Sequence, residues 1–406
     1  MPLPFPDLPF QWDANPDVLP GAAYGPGQQA VLNADGLALA RRCIGAWPGY
    51  APTPLVALPG LAAALGLGGI LYKQEGDRFG LRSFKPLGGA YAVQRCLMRA
   101  VEAATGRPVD PDEILRGDHA DIVAAVTVTA ATDGNHGRSV AWGARMFGCR
   151  CVIFINEAVT EARETAIAAY GAQVRRHPGT FDDAVRAAFA AARREGWSVI
   201  PDTTDGQVVE APRDVTQGYA VMGAEIIEQL AGGPAPSHLF LQAGVGGMAA
   251  ATCAEFWRHY GADRPTTVLV EPEQCACWHA SLTAGTPTAV TGDVDSFMSG
   301  LACGEPSALA WEILHPGAHA AMTLNDDAAP ATMRLLAQGW DGDPPLVGGE
   351  SGVAGLAGLI TAARDAGARA ALGLDETSRA VVIGSEGATD AALYEQVVGR
   401  PWQEVA

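Results

Sequence analysis

No uninterrupted apolar run in this chain reaches the roughly 20 residues that a bilayer-crossing helix needs, so no transmembrane helix and no membrane partner are expected. The stretch from Met1 to Trp12 lacks the basic-then-apolar order of an export signal, which makes the cytoplasm the expected compartment. Basic residues are scarce: Lys and Arg total 27 against 45 Asp and Glu, a net charge of −18. A surface that acidic repels phosphate backbones, which argues against nucleic acid as a partner. The eight cysteines include no Cys-x-x-Cys pair; Cys149/Cys151 and Cys275/Cys277 are each one residue apart. That spacing suits no zinc site, so no metal is expected and the thiols read as structural. Cys151 opens the apolar run to Ile155, where a reduced thiol behaves as a small hydrophobe. Internal repeats and low-complexity linkers are missing too.

What is there is an ordinary globular composition, 48% hydrophobic and 18% charged over 406 residues. Such a length suits two domains sharing a cleft better than one core. The first fifty residues, with Pro2, Pro4, Pro6, Pro9, Pro16, Pro20 and Pro26, read as an extended arm lying on its own domain or on a partner subunit. From Ile70 onward, strand and helix patterns alternate. Strands are expected at Ile70–Lys73, Val123–Ala130, Cys151–Ile155, from Val174, and at Trp197–Ile200, His238–Gln242, Thr266–Val270 and Ala380–Ile383. Helices are expected where Ala90, Val93, Leu97 and Val101 recur at helical spacing, and at His136–Phe147, Thr160–Tyr170, Phe181–Glu195, Gln217–Leu230 and Met248–Tyr260. The alternation implies an α/β fold, with parallel sheets carrying helices on both faces.

Loops that follow strands in such sheets are where ligands bind. Lys85, in Ser83-Phe84-Lys85-Pro86-Leu87-Gly88-Gly89-Ala90, stands between the first convincing strand and the first long helix. Held there and partly desolvated, its amine can form a Schiff base with a carbonyl. A solvated lysine at a helix start is the plain alternative, though the helix dipole opposes it. In Thr132-Asp133-Gly134-Asn135-His136-Gly137 the glycines free backbone N–H groups for a small anion, Asn135 can donate to a phenolate-like oxygen, and Asp133 is a candidate acid or base. The same residues also make an Asx-turn and helix cap, with His136 capping or packing inside the loop. Gly244-Val245-Gly246-Gly247-Met248 enters a helix after a strand, as a phosphate cradle does. It equally fits a loose dinucleotide fingerprint, with Glu271 as the later acidic residue. Ser385 ends the last strand as a ligand or a cap, and Asp202 follows Val199-Ile200 as a cleft carboxylate or a turn former. His177, His238 and His259 have no ligand spacing.

Taken together and in this order, these motifs resemble the tryptophan-synthase-β-like, fold type II group of pyridoxal-phosphate (PLP) enzymes. More narrowly, the chain is similar to the diaminopropionate ammonia-lyases. The narrower likeness rests on Arg78–Lys85, Ala131–Arg138, Gln217-Gly218-Tyr219, Gln242–Gly246, Gly300–Gly304, Gly349-Glu350-Ser351-Gly352 and Ser385-Glu386-Gly387. It runs from about residue 40 to the end. The resemblance implies a two-domain enzyme, with residues 1–95 and 217–406 as the large PLP-binding domain and 96–216 as a small inserted α/β domain. It implies that Lys85 carries PLP, with Phe84 beside it, and that Asn135 bonds the ring 3-oxygen. Gly244, Val245, Gly246, Gly247 and Met248 would hold the phosphate, and Ser385 would face the pyridine nitrogen. Asp133 and Asp202 match the family's two cleft aspartates, which would serve opposite stereoisomers. The implied reaction is α,β-elimination from a small amino acid, 2,3-diaminopropionate first of all, by a homodimer. A serine/threonine-type dehydratase, or a lyase acting on another β-substituted amino acid, is the alternative. Two departures bear on substrate choice: Asp77 stands where the family has an aromatic, and Asp205-Gly206-Gln207-Val208 replaces its Trp-Glu-Gly-Tyr.

Overall fold

Runs such as Leu239-Phe240-Leu241 and Val381-Val382-Ile383 are apolar on both faces of the pleat, the pattern of strands covered from both sides, and all six side chains are fully buried. The computed structural model describes every residue except Met1, Pro2, Asp133, Asp205 and Ala406. Its described strands are β1 (Phe10–Ala14), β2 (Leu55–Ala57), β3 (Gly69–Gln74), β4 (Thr127–Ala131), β5 (Arg150–Asn156), β6 (Gln173–His177), β7 (Ser198–Val199), β8 (His238–Gln242), β9 (Thr266–Pro272), β10 (Ala320–Leu324) and β11 (Arg379–Gly384). They form two sheets, with orders β1-β10-β9-β8-β11-β3-β2 and β6-β5-β4-β7. Only β1 and β2, at the two edges of the larger sheet, run antiparallel to their neighbours. The other pairs are parallel.

The chain folds as two compact units. One holds Met1–Val31, Pro52–Ser83 and Met222–Ala406, and with them the larger sheet; the other holds Leu32–Ala51 and Phe84–Val221, with the smaller sheet. In the first, the helix Ala354–Arg364 lies flush on the sheet because Gly355 and Gly358 have no side chain. A Cβ on Gly355 would stand 2.5 Å from the Phe240 carbonyl oxygen. In the second, the helix Phe181–Glu195 packs Ala184, Ala188 and Ala191 against Val152 and Phe154.

Most important for chemistry is the helix Pro86–Thr105, which Lys85 precedes as N-cap and which ends at Gly106 in the left-handed conformation (φ 69°). Its Ala90, Val93, Leu97 and Val101 are all fully buried, as their spacing requires. The helix meets two others at near backbone-to-backbone distance. Towards the helix Asn135–Phe147, a Cβ on Gly89 would fall 1.9 Å from Ser139 Oγ, and one on Gly143 would fall 2.7 Å from Ala90 Cα. Towards the helix Glu210–Gln229, a Cβ on Gly218 would fall 2.0 Å from the Leu87 carbonyl oxygen. Arg95 and Arg99 add ion pairs to Asp214 on that same neighbour, at 3.4 and 2.6 Å.

Three expectations need correction. The first fifty residues are not simply an extended arm: β1 joins the large sheet, and Ala34–Gly45 is a helix capped by Asn33. Prolines crowd that region but stop short of this helix. Val123 belongs to a short helix, Ala120–Ala125, and the strand starts only at Thr127; an apolar Val-Ala run fits either state until its packing is known. The helix expected from Gln217 begins at Glu210, since Pro212 sits in its first turn, where no backbone N–H is needed.

Gly218→Ala places a methyl against backbone that cannot move aside. It should cost about 1–3 kcal/mol in denaturant unfolding. Gly27→Ala, with nothing within 4 Å, should change stability by less than about 1 kcal/mol.

Candidate active site

The chain has two lysines, Lys73 and Lys85, and their surroundings differ. Lys73 is fully buried on β3, where its ammonium donates to Glu225 Oε2 at 2.8 Å, the Thr53 carbonyl at 2.8 Å and Gln229 Oε1 at 3.0 Å. Three acceptors for three N–H bonds saturate it. Arg78 bridges Glu75 and Glu225 in the same network. Burial lowers the Lys73 pKa, but the two carboxylates hold the pair together. That is a structural lysine.

Lys85 keeps about a fifth of its side chain exposed and donates from Nζ to Asp202 Oδ2 at 2.8 Å. The ring of Phe84 lies 5.4 Å from the ammonium and that of Tyr219 lies 5.9 Å away. The two rings are 4.7 Å apart at a 58° tilt, and together they form an apolar wall for the cation. Burial pushes the Asp202 carboxyl up, yet the Lys85 ammonium outweighs it and holds the group well below the usual carboxylate range. The two side chains form an ion pair.

Topology brings Asp202 here. It leaves the C-terminal end of β7, and the Thr132–Asn135 loop leaves the C-terminal end of its parallel neighbour β4, the edge where α/β sheets place ligands. Thr132 Oγ1 accepts from the N–H groups of Gly134 and Gly137 at 3.0 and 3.1 Å, so the loop is shaped by the threonine. Asn135 begins the next helix, and its Oδ1 accepts from Arg138 at 3.0 Å. This leaves the NH2 as the donating end of the amide. His136 is buried. Its Nε2 donates to the Ile200 carbonyl at 2.7 Å, and its Nδ1 lies 3.9 Å from Asp202 Oδ2. The candidate base Asp133, and Asp205 of the altered loop, lie outside the described residues. Asp77 is exposed on the turn after β3.

In the other unit, β8 runs into the glycine turn. Gly246 needs to be glycine twice over: its φ is 96°, and a Cβ would fall 2.2 Å from the Trp278 ring. Trp278 Nε1 donates to the Gly244 carbonyl at 2.9 Å, and the Ser307 N–H to the Val245 carbonyl at 2.9 Å. The carbonyls are thereby tied back. Among the described residues, no acceptor pairs with the N–H groups of Gly244, Val245, Gly246, Gly247 or Met248, and the last two open a 14-residue helix. An array of unpaired N–H groups at a helix N-terminus fits a phosphate. Gln242, two residues before the turn, donates from Nε2 to Ser385 Oγ at 2.9 Å. The buried hydroxyl keeps its own hydrogen to donate, which fits an unprotonated pyridine nitrogen.

Glu271, which keeps a dinucleotide reading open in the sequence, caps the helix Cys277–Ala284 instead. Its carboxylate accepts from the N–H groups of Trp278 and His279, each at 2.9 Å. Burial pushes this carboxyl up to about 8 despite those donors.

The structure thus gathers Lys85, Phe84 and Asp202 in one unit, and the glycine turn with Ser385 in the other. Sequence reasoning misses His136 and Tyr219 as parts of the lysine's surroundings. Both stand inside motifs singled out above, but their partners are remote in the chain. Residues 46–385 match the family model described as pyridoxal-phosphate dependent enzyme. The chain belongs to that family, and its cofactor is pyridoxal phosphate. Over 357 residues it is 37% identical to a diaminopropionate ammonia-lyase from Escherichia coli, covering 86% of this chain and 88% of that one. The crystal structure of holo diaminopropionate ammonia lyase from Escherichia coli superposes with a TM-score of 0.87, at 33% identity over 98% of both chains. A second structure of that enzyme, in complex with an aminoacrylate-PLP azomethine reaction intermediate, gives 0.85 at 33% identity, again over 98% of both chains. The architecture is that of the fold type II enzymes.

A carboxyl whose pKa rises on folding favours the folded state at low pH and loses that advantage as pH climbs. Between the ordinary carboxylate value of 4.5 and about 8, the wild-type protein should therefore lose thermal stability from Glu271. Glu271→Gln should lack that slope when melting temperatures are compared across the same window.

Proposed function

We propose that the protein eliminates the β-amine of 2,3-diaminopropionate, so that each turnover consumes water and yields pyruvate and two ammonia. The observation that carries this reading is the Lys85–Asp202 pair at 2.8 Å, in a chain so similar to diaminopropionate ammonia-lyase. Pyridoxal phosphate, when bound, withdraws electrons and stabilises negative charge at the substrate's α-carbon.

The residues divide the remaining work. Lys85 holds the cofactor through its amine, with Phe84 at its side. The N–H groups from Gly244 to Met248 bind the phosphate, and the Asn135 amide donates to the ring oxygen. Ser385 offers a hydroxyl where a carboxylate would force a proton onto the pyridine nitrogen; the weaker electron sink favours elimination over transamination. Asp202 Oδ2 accepts a hydrogen from Lys85 Nζ and can take a proton from that side of the substrate. Asp133 takes the corresponding proton on the opposite face, so both stereoisomers react. The β-nitrogen, an ammonium in the reacting substrate, departs as neutral ammonia with the pair from the Cβ–N bond, and the released aminoacrylate hydrolyses. The working form proposed is a homodimer in the cytoplasm. In support, no helix of the described residues is long and apolar enough to cross a membrane, and the charge of −18 disfavours nucleic acid.

Holoenzyme given either enantiomer of 2,3-diaminopropionate should release two ammonia per pyruvate, against one from serine. Lys85→Ala should lower that rate by roughly a thousandfold or more. Borohydride reduction followed by peptide mass analysis should find the cofactor on Lys85. An adduct on Lys73, or full activity in the alanine variant, would overturn the assignment.

A further inference from the structure

His136 presents an unusual combination. Only 5% of the residue is exposed, and Nδ1 has no hydrogen-bond partner among the described residues. Leaving a buried polar atom unpaired costs about 1–3 kcal/mol, so the arrangement calls for a reason. The Ile200 carbonyl can only accept, which fixes the hydrogen on Nε2. Nδ1 of the neutral ring is then a bare lone pair, and it lies 3.9 Å from Asp202 Oδ2. Burial lowers the ring's pKa, the Asp202 carboxylate opposes that, and the Lys85 ammonium reinforces it. Among the described residues, those two charged groups, one from the loop after β7 and one from the start of the lysine helix, are the ones that act on the ring.

A lone pair facing a carboxylate has nothing to accept. Facing a carboxylic acid, it accepts a strong hydrogen bond. We propose that His136 is a positioning residue for a protonated Asp202: its Nδ1 accepts from the Asp202 O–H once that carboxyl has taken the substrate's α-proton. The inference rests on Asp202 being a base. In the step, the α-C–H bond breaks and its electron pair stays with the substrate, to form the Cα–Cβ double bond as the β-amine leaves. The proton is then on Asp202 Oδ2, and a shift of about 1 Å brings O–H and Nδ1 to hydrogen-bond distance. The contact exists only after proton transfer has begun, so it lowers the barrier rather than tightening substrate binding.

The discriminating variants are His136→Gln, which keeps a donor for Ile200 and loses the acceptor, and His136→Asn, which keeps an acceptor near the Nδ1 position. For the enantiomer whose elimination depends on Asp202, His136→Gln should lower kcat about 10- to 100-fold with KM nearly unchanged. A hydrogen bond to the neutral acid raises its pKa, so the acid limb of kcat should move down by about one pH unit in this variant. His136→Asn should recover about tenfold of the loss. Nitrogen-15 NMR of histidine-labelled protein should show one ring fixed as the neutral Nε2–H tautomer from about pH 5 to 8, a signal missing from His136→Gln. If Asp202→Asn still processes both enantiomers, the base assignment falls and this inference with it. If Asp202→Asn is inactive on one of them while His136→Gln keeps its kcat and its acid limb, only the histidine's role is lost. Equal losses in both histidine variants with an unmoved limb, or an imidazolium throughout the range, would leave His136 merely structural and overturn the inference.

Discussion

A cation and an anion, drawn 2.8 Å apart and both mostly out of water, form the contact around which this molecule is arranged. Desolvating two charges is unfavourable unless they are held at contact distance with little freedom to part. The fold holds them so through small residues. Gly88, Gly89 and Ala90 follow closely after the lysine, and they let its helix approach the helices behind Asn135 and beyond Asp202 almost backbone to backbone. One methyl group at Gly218 or Gly89 would force those helices apart. These glycines act as spacers that set where an amine and a carboxylate meet.

Buried polar groups here follow two policies. Lys73, Arg78, Glu75 and Glu225 are mutually paired, as a network must be if it is to stabilise anything in a low dielectric. Trp278 and Ser307 tie down the carbonyls of the glycine turn, and Glu271 supports the next helix. Elsewhere the pairing is left incomplete. Among the described residues, His136 beside Asp202 keeps a bare nitrogen, and in the other unit the turn from Gly244 keeps bare N–H groups. Unpaired atoms on a well-packed scaffold mark where something else is meant to bind or where charge is meant to move.

Much of this is legible in the sequence, and for stated reasons. Strands such as Leu239–Gln242 declare themselves by runs that are apolar on both faces, and helix ends by glycines such as Gly106 and Gly148, both left-handed in the structure. β10 escapes notice because Ala320-Ala321-Met322-Thr323-Leu324 has only one β-branched residue to distinguish it from helix. The lysine, the glycine turn and Ser385 are visible as residues, but their partners are not. Asp202 lies 117 positions from Lys85, and Gln242 lies 143 from Ser385. Nothing local in the chain records such distances. His136 reads as loop packing because its role depends on which nitrogen meets Ile200, a matter of tautomer rather than of spacing.

The use of arginine has a chemical side effect. Of the 27 basic side chains, two are lysines, and Lys73 is sealed inside a saturated cluster. Guanidinium groups stay protonated and do not condense with aldehydes. A carbonyl compound meeting this surface therefore finds a single side-chain amine able to capture it, and the chain's composition itself discourages misdirected attachment.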